Sequence, residues 1–176
     1  MDNRMDEKDA ELLRSRSRAA FDAQAPTYDT GMEGDHARRL YPHVLAEVAR
    51  AVAGNPAPRL LDLGCGTGLE LDALFARFPD LRVTGIDMTE EMLRALREKH
   101  PDKALRLIRG DYFACDFGRE AFDAVVSFES LHHFPRAQKL GLYRRVFAAL
   151  RPGGAFCNGD YMVETEEEEE ALAREA

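Results

Sequence analysis

The sequence predicts an α/β fold, a mainly parallel sheet of about five strands flanked by helices. Short apolar runs typical of strands alternate with longer amphipathic stretches typical of helices, and most connections between them are short. One apolar run, at 60–63, leads into a turn with three glycines and then into a helical pattern. Because 176 residues, 45% of them hydrophobic, suffice for one core but not comfortably for two, we expect a single domain over residues 1–176.

Two helices are predicted in the N-terminal region, 1–53. Apolar residues recur at loosely helical spacing among charges over 6–23, and Pro26 ends that segment. A second helix is expected over 40–53, where Pro42 is tolerated in the first turn. A short segment rich in glycine and proline then breaks it.

Strands and helices alternate through a predicted core at 59–162. Strands are predicted at 59–63, 82–86, 105–109, 121–127 and 155–162, and helices at 69–78, 89–99 and 136–150. Thr89 can cap its helix with Glu90 and Glu91 in the first turn, and the Arg-Pro-Gly-Gly segment at 151–154 ends the long helix. Alternation of this kind predicts parallel strands joined by helical crossovers.

The final segment, 163–176, combines an acidic run with a helix signal. Thr165 followed three residues later by Glu168 is a capping box, and Ala171 and Leu172 continue a helical composition. We therefore favour a helix that the end of the chain cuts short, with a disordered acidic tail as the alternative.

Charge and composition disfavour several classes of protein. The formal charge is −8, and the basic residues are scattered rather than gathered into a stripe, which argues against a nucleic-acid partner. Cys65, Cys115 and Cys157 lie far apart, so neither a zinc site nor a disulfide framework is indicated. No apolar run approaches the roughly 18 residues of a membrane span, and residues 1–18 lack the apolar stretch of an export signal. We expect a cytoplasmic protein, present as a monomer or homodimer, without a membrane partner.

The glycine turn is typical of a site for a nucleotide-type cofactor. Ligands of open parallel sheets bind beyond the carboxyl ends of the strands, and Gly64, Gly66 and Gly68 stand at the end of the first strand. The helix that follows offers its free amide groups to the ligand. Asp87, at the end of the second strand and 19 positions beyond Gly68, can accept hydrogen bonds from both ribose hydroxyls.

These residues carry a family resemblance. Asp-Leu-Gly-Cys-Gly-Thr-Gly at 62–68, followed by Gly-Ile-Asp at 85–87, resembles the class I S-adenosylmethionine-dependent methyltransferases of the small-molecule type. The resemblance implies a Rossmann-like fold, S-adenosylmethionine as cofactor with S-adenosylhomocysteine as product, and methyl transfer by in-line displacement to a small-molecule acceptor.

Further segments agree with the resemblance, which covers roughly residues 21–162. Gly-Asp-Tyr at 110–112 resembles the adenine-contacting element, 122–134 resembles the fourth strand and the loop past the methionine moiety, and 21–29 resembles a lid whose aromatic residue covers the cofactor. The chain departs from the family at its C-terminus, where two more strands usually follow. The cofactor-binding residues predicted on this basis are Tyr28, Asp62, Gly64, Cys65, Gly66, Asp87, Met88, Asp111, Tyr112 and Ser127.

Two rival cofactor classes fit the glycine turn poorly. The nicotinamide fingerprint G-x-G-x-x-G places its third glycine one position later than Gly68, and the chain has no Tyr-x-x-x-Lys pair. A P-loop needs a lysine where Leu69 stands. A binding or regulatory module that keeps the fold without turnover stays open as the alternative function.

The loop after the fourth predicted strand holds the candidate catalytic residues. His132 or His133 could take a proton near neutral pH, and Glu129 could assist or orient an acceptor amine. We expect no metal, because adjacent histidines diverge and His36 and His43 lie about 10 Å apart along their helix. The methylated atom stays open, since the shared motifs do not choose the acceptor.

Overall fold

Five parallel strands form the centre of the protein, whose computed structural model describes residues 21, 23–31, 35–134, 136–160, 163, 165, 167, 168 and 171. The strands are β1 (Arg59–Leu63), β2 (Arg82–Asp87), β3 (Ala104–Arg109), β4 (Phe122–Phe128) and β5 (Leu150–Gly159). The helices are α1 (Tyr28–Gly31), α2 (Asp35–Ala51), α3 (Leu69–Arg77), α4 (Glu90–Lys99) and α5 (Arg136–Ala149), with 3-10 helices at Ala25–Thr27 and Leu131–His133.

The strand order is β3-β2-β1-β4-β5, and every neighbouring pair is parallel. The chain builds outward from β1 to β3 and then crosses to the other side of β1 to add β4 and β5. The connections that leave β1 and β4 therefore diverge at the carboxyl edge of the sheet, where open α/β folds bind their ligands. The predicted parallel five-strand fold is confirmed.

Helices cover the sheet on both faces, as the two clusters of buried side chains show. One cluster joins Leu60 and Val126 of the sheet to α2, α3 and α4, and the other joins Leu61 and Val125 to α5. Successive residues of a strand point to opposite faces, so neighbouring leucines of β1 serve different clusters. All seven residues of β4 are buried, as a strand covered on both faces requires.

The largest differences from the predicted bounds are at α2 and β5. Helix α2 begins five residues earlier than expected, at Asp35, and ends at Ala51. Strand β5 begins at Leu150, directly after α5, because Leu150 pairs with Phe122 and the segment at 151–154 forms an irregularity before pairing resumes at Ala155. The Arg-Pro-Gly-Gly segment therefore follows the end of α5, as predicted, but it lies inside β5, so our start of this strand at residue 155 was five residues too late.

The predicted terminal segments lie largely outside the described residues. Of the helix expected at 6–23, residues 21 and 23 are described, and both are helical. The capping box is present, because the Thr165 amide donates to Glu168 Oε2 at 3.1 Å and the Glu168 amide donates to Thr165 Oγ1 at 3.2 Å. Residues 167, 168 and 171 are helical. Within the described part of the chain, no helix is long and apolar enough to cross a membrane.

Candidate functional site

The glycine turn after β1 lies at the carboxyl edge of the sheet, between β2 and the loop that follows β4. The Gly64 amide donates to the Ile86 carbonyl at 2.8 Å, and Gly64 adopts a φ of +74°. A Cβ at position 64 would lie 2.2 Å from Ser130 Oγ, so only glycine lets the two loops approach this closely. A Cβ at Gly66 would meet nothing within 4 Å, so the backbone there faces open space.

Asp87 holds the turn in place. Its Oδ2 accepts a hydrogen bond from the Gly66 amide at 2.9 Å, and its Oδ1 accepts from the Thr89 amide at 2.9 Å and the Thr89 hydroxyl at 2.7 Å. The carboxylate thus joins the end of β2 to the turn after β1, as the prediction of a shared site at these two strand ends requires. Met88, the next residue, is half-buried beside it.

A pocket that is open to solvent lies over the turn. Its lining comes from α1, α2, the glycine turn with the start of α3, and the end of β4: Tyr28, Tyr41, Gly64, Cys65, Gly66, Thr67, Gly68, Leu69, Glu70, Phe128 and Glu129. The structure therefore brings together five of the predicted residues, Tyr28, Gly64, Cys65, Gly66 and Glu129.

Tyr28 supplies an aromatic wall of this pocket, and Phe21 packs against it edge-on with ring centroids 6.4 Å apart. Burial, followed by the negative charges of Glu129 and Glu70, raises the pKa of Tyr28 to about 12. The phenol therefore stays neutral at physiological pH and can act as a hydrogen-bond donor or an apolar cover.

Two buried carboxyl groups lie behind the turn. Asp62 is 0% exposed, and among the described residues neither of its carboxyl oxygens has a hydrogen-bond partner of normal geometry. Glu70, in the first turn of α3, is 6% exposed and close enough to perturb it. Burial raises the pKa of Asp62 well above its usual range, with Glu70 as the next cause, and burial raises the pKa of Glu70 to about 7.

Glu70 was missed by the sequence reasoning. An acidic residue in a first helical turn is ordinarily an exposed partner of the helix dipole, and only the packing shows that this one faces inward. Its position on the apolar face, one residue before the fully buried Leu71, was the available signal.

The side chains of Cys65 and Ser127 are buried and make their contacts within the fold. The thiol of Cys65 packs against β2, where a Cβ at Gly85 would lie 2.7 Å from its Sγ, and burial raises the pKa of this thiol well above its usual range. Ser127 is 1% exposed and donates to the Leu63 carbonyl at 3.2 Å. At these two positions, the backbone rather than the side chain is what the site can use.

Asp111 and Tyr112 lie after β3, and a Cβ at Gly64 would lie 3.7 Å from Tyr112 Cε1. Asp111 Oδ1 accepts from the Phe113 amide at 2.8 Å, which shapes this loop as an Asx turn. The buried Tyr112 hydroxyl lies 3.0 Å from Ser130 Oγ, and burial raises the pKa of this phenol. The loops after β1, β3 and β4 therefore meet around Gly64.

His132 is held by Asp160, a second residue that the sequence reasoning missed. Asp160 Oδ1 lies 2.5 Å from His132 Nδ1, and Oδ2 accepts from the amides of Leu131 at 2.7 Å and His132 at 3.0 Å. The Asp160 side chain is 2% exposed. The His133 side chain lies outside the described part of the structure.

Glu129 lines the pocket from the end of β4 with a φ of +46°, a conformation that costs energy for a residue with a side chain. Its amide donates to the Gly159 carbonyl at 2.9 Å, so β5 holds it there. Such strain is concentrated at functional sites. Over the described ranges, no three His, Cys, Asp or Glu residues lie together as metal ligands, and the expectation of no metal stays a prediction.

An open parallel sheet with a glycine turn at its switch point and a carboxylate after the second strand defines an α/β domain that binds a nucleotide-type cofactor. Residues 60–154, more than half of the chain, match the family of methyltransferase domains. The chain belongs to this family, as the sequence motifs predicted.

Individual relatives agree with this assignment. The chain is 34% identical over 154 residues to demethylmenaquinone methyltransferase of Chlorobaculum parvum. This alignment covers 81% of this chain and 60% of that protein. It is 30% identical over 133 residues to sterol 24-C-methyltransferase of Debaryomyces hansenii, and this alignment covers 73% of this chain and 34% of that protein. The solved DhpI-SAM-HEP complex superposes with a TM-score of 0.68 at 25% identity, over 90% of this chain and 71% of that one. The chain thus spans about a third of the sterol relative's length.

Proposed function

We propose that the chain binds S-adenosylmethionine and transfers its methyl group to a small-molecule acceptor. The observation that carries the proposal is the glycine turn tied to Asp87 beneath an aromatic and acidic pocket. Membership of the methyltransferase domain family supports it, as do relatives named for a sterol and for demethylmenaquinone. The DhpI-SAM-HEP complex supports the choice of cofactor.

The residues at the turn fit such a cofactor. Gly66 faces open space where a backbone can approach a ligand. Among the described residues, the buried Asp62 oxygens have no hydrogen-bond donor of normal geometry, and an ammonium group is a donor of the kind they need. We infer that Asp87 accepts from the ribose hydroxyls, and that Asp62 with Glu70 faces the amino-acid end of the cofactor.

The remaining predicted contacts belong to the same proposal. We assign Asp111 and Tyr112 to the adenine side, Met88 to the ribose side, and the backbones of Cys65 and Ser127 to the edges of the site. Tyr28 covers the pocket from α1.

When bound, S-adenosylmethionine would supply an activated sulfonium methyl group, which the acceptor nucleophile takes in line while the S–CH3 bond breaks and S-adenosylhomocysteine leaves. The chain's own residues then align the acceptor and exclude water, which Tyr28, Tyr41 and Phe128 do as the aromatic walls of the pocket. His132 is the proposed base for an acceptor that carries a proton. Because Asp160 occupies Nδ1, the proton passes to Nε2, and the negative Asp160 stabilises the imidazolium that forms.

The expectations of a cytoplasmic location and of a monomer or homodimer stay predictions. A binding or regulatory module without turnover is the alternative that a turnover measurement separates from an enzyme.

Titration calorimetry tests the cofactor directly. We expect S-adenosylmethionine to bind the 176-residue chain and NAD to give no heat of binding, because the glycine spacing departs from the nicotinamide fingerprint. Release of S-adenosylhomocysteine from a panel of small acceptors then tests turnover. Binding of NAD in place of S-adenosylmethionine would overturn the proposal, and binding without release would favour the module.

The role of His132 is tested by His132→Gln, which removes the ring that could take the proton. With an acceptor that carries an acidic proton, we expect kcat to fall about a hundredfold or more, since a positioned base contributes on that scale, while the affinity for S-adenosylmethionine is unchanged. His43→Gln, at an exposed position of α2, is the matched control. An unchanged kcat in His132→Gln would rule this histidine out as the base.

A further inference from the structure

Asp29, the residue after Tyr28, ties the segment over the pocket to two separate places in the fold. Thr67 of the glycine turn donates its hydroxyl to Asp29 Oδ1 at 2.5 Å, and Lys99 Nζ donates to Asp29 Oδ2 at 2.9 Å. These partners lie 38 and 70 positions away along the chain. We call the 25–31 segment, which carries Tyr28 and Asp29, the cover segment.

Lys99 is itself anchored. It ends α4, lies 3.4 Å from Asp72 Oδ1 of α3, and Asp72 Oδ1 lies 2.8 Å from His100 Nε2. The His100 ring packs on the buried Phe75, with ring centroids 4.9 Å apart. The ammonium group that faces Asp29 is therefore held by two helices and the core beneath them.

Besides Asp29, the cover segment is held by the buried Ala25 and by the contact of Tyr28 with Phe21. Helix α1 is four residues long, which is too short to be stable by its own backbone hydrogen bonds. Thr67 is 3% exposed, and a buried hydroxyl needs a hydrogen-bond partner, which Asp29 provides. Lys99, whose side chain is 25% exposed, forms an ion pair with the Asp29 carboxylate. Both carboxylate oxygens of Asp29 therefore make charge-assisted contacts.

Thr67 and Tyr28 both line the pocket, and Asp29 joins them. One carboxylate therefore links the glycine turn to the residue next to Tyr28. By contrast, the ion pair between Arg50 and Glu47 joins neighbouring turns of the same helix and touches no part of the pocket.

We propose that Asp29, held between Thr67 and Lys99, is a positioning residue that keeps Tyr28 over the pocket and thereby slows escape of the bound cofactor. The proposal rests on the proposed function of the pocket and adds to it the residues that hold its cover. It assigns Asp29 no contact with the reacting atoms.

Binding kinetics provide the first test. For Asp29→Asn we expect the affinity for S-adenosylmethionine to fall about tenfold, as the loss of a hydrogen bond to a charged group implies, mainly through faster dissociation. The affinity of Thr67→Val for S-adenosylmethionine should fall by a similar factor. Thr67→Ser keeps the hydroxyl and should bind with the parent affinity. Glu47→Gln is the matched control and should change nothing.

A fluorescence measurement separates positioning from general stability. The chain has no tryptophan, so Tyr28→Trp gives a single reporter in the cover segment. Adding Asp29→Asn or Lys99→Met to this reporter should shift the emission to the red, because the indole becomes more exposed to water, while Glu47→Gln should leave it unchanged.

Unchanged dissociation rates in Asp29→Asn, or an emission that does not move in either variant, would overturn the proposal. If the two variants lowered Tm without moving the emission, Asp29 would be structural only, which also contradicts it. The emission is measured without ligand, so a failure of the parent chain to bind S-adenosylmethionine would count against the proposed function and leave this test intact.

Discussion

Asp87→Ala is expected to lower the affinity for S-adenosylmethionine by about a hundredfold, which corresponds to about 3 kcal/mol. Three losses contribute to this effect. The ribose hydroxyls lose their proposed acceptor, and the turn loses the bond from the Gly66 amide to Asp87 Oδ2 at 2.9 Å. The Thr89 amide and hydroxyl, which both donate to Oδ1, lose their partner as well.

Titration calorimetry on purified variants measures the change. Asp87→Asn keeps one carbonyl oxygen as an acceptor and should show a smaller loss than Asp87→Ala. Asp102→Ala, at an exposed position, should bind as the parent does. Parent-like binding by Asp87→Ala would remove the main support for a cofactor at this turn.

The second large effect concerns the dependence of stability on pH. The pKa of Glu70 is about 7 in the folded chain against its usual value of 4.5, because burial disfavours the charged carboxylate. Between these two values the folded state holds a proton that the unfolded state releases. The stability contribution is therefore fully present below pH 4.5 and is lost as pH rises to about 7.

The expected size of this loss is about 3 kcal/mol, from about 1.4 kcal/mol for each unit of pKa difference. The raised pKa of Asp62 acts in the same direction. Glu70→Gln removes the titrating group while keeping its approximate shape. The free energy of unfolding of this variant should therefore decline much less between pH 5 and pH 7 than that of the parent.

Urea unfolding at a series of pH values gives the free energy of unfolding for the parent and for Glu70→Gln. Glu98→Gln, on the exposed face of α4, is the matched control, because other carboxylates titrate equally in all three proteins. Parallel pH profiles for the parent and Glu70→Gln would show that Glu70 titrates normally in the folded state.

Most of the core fold is predictable because its signals are local. The apolar residues of β1, the glycine turn and the helix that follows are contiguous in sequence, and backbone sterics limit what such a segment can form. Asp87 was predictable because its distance from the turn corresponds to one helix and one strand. The largest errors in the bounds are at the start of α2 and at 150–154, where a helix end and a strand start meet without a loop.

The missed residues share a different property. Asp160 bonds His132 from 28 positions away, and Asp29 bonds Lys99 from 70 positions away. Glu70 lies near Asp62 in sequence, but only the packing of α3 on the sheet turns it inward. Their partners are chosen by the order of strands and the docking of helices, which no local pattern encodes.

The strand and helix pattern, the glycine turn and the two carboxylates at the ends of β1 and β2 follow from the chain alone, since covalent spacing and side-chain chemistry determine them. The tertiary structure decides which of these groups are buried, and burial determines their chemistry. It buries Asp62 beside Glu70, raises the pKa of Glu70, fixes the ring of His132 and holds Tyr28 through Asp29. Desolvation and long-range hydrogen bonds exist only after the helices have packed on the sheet.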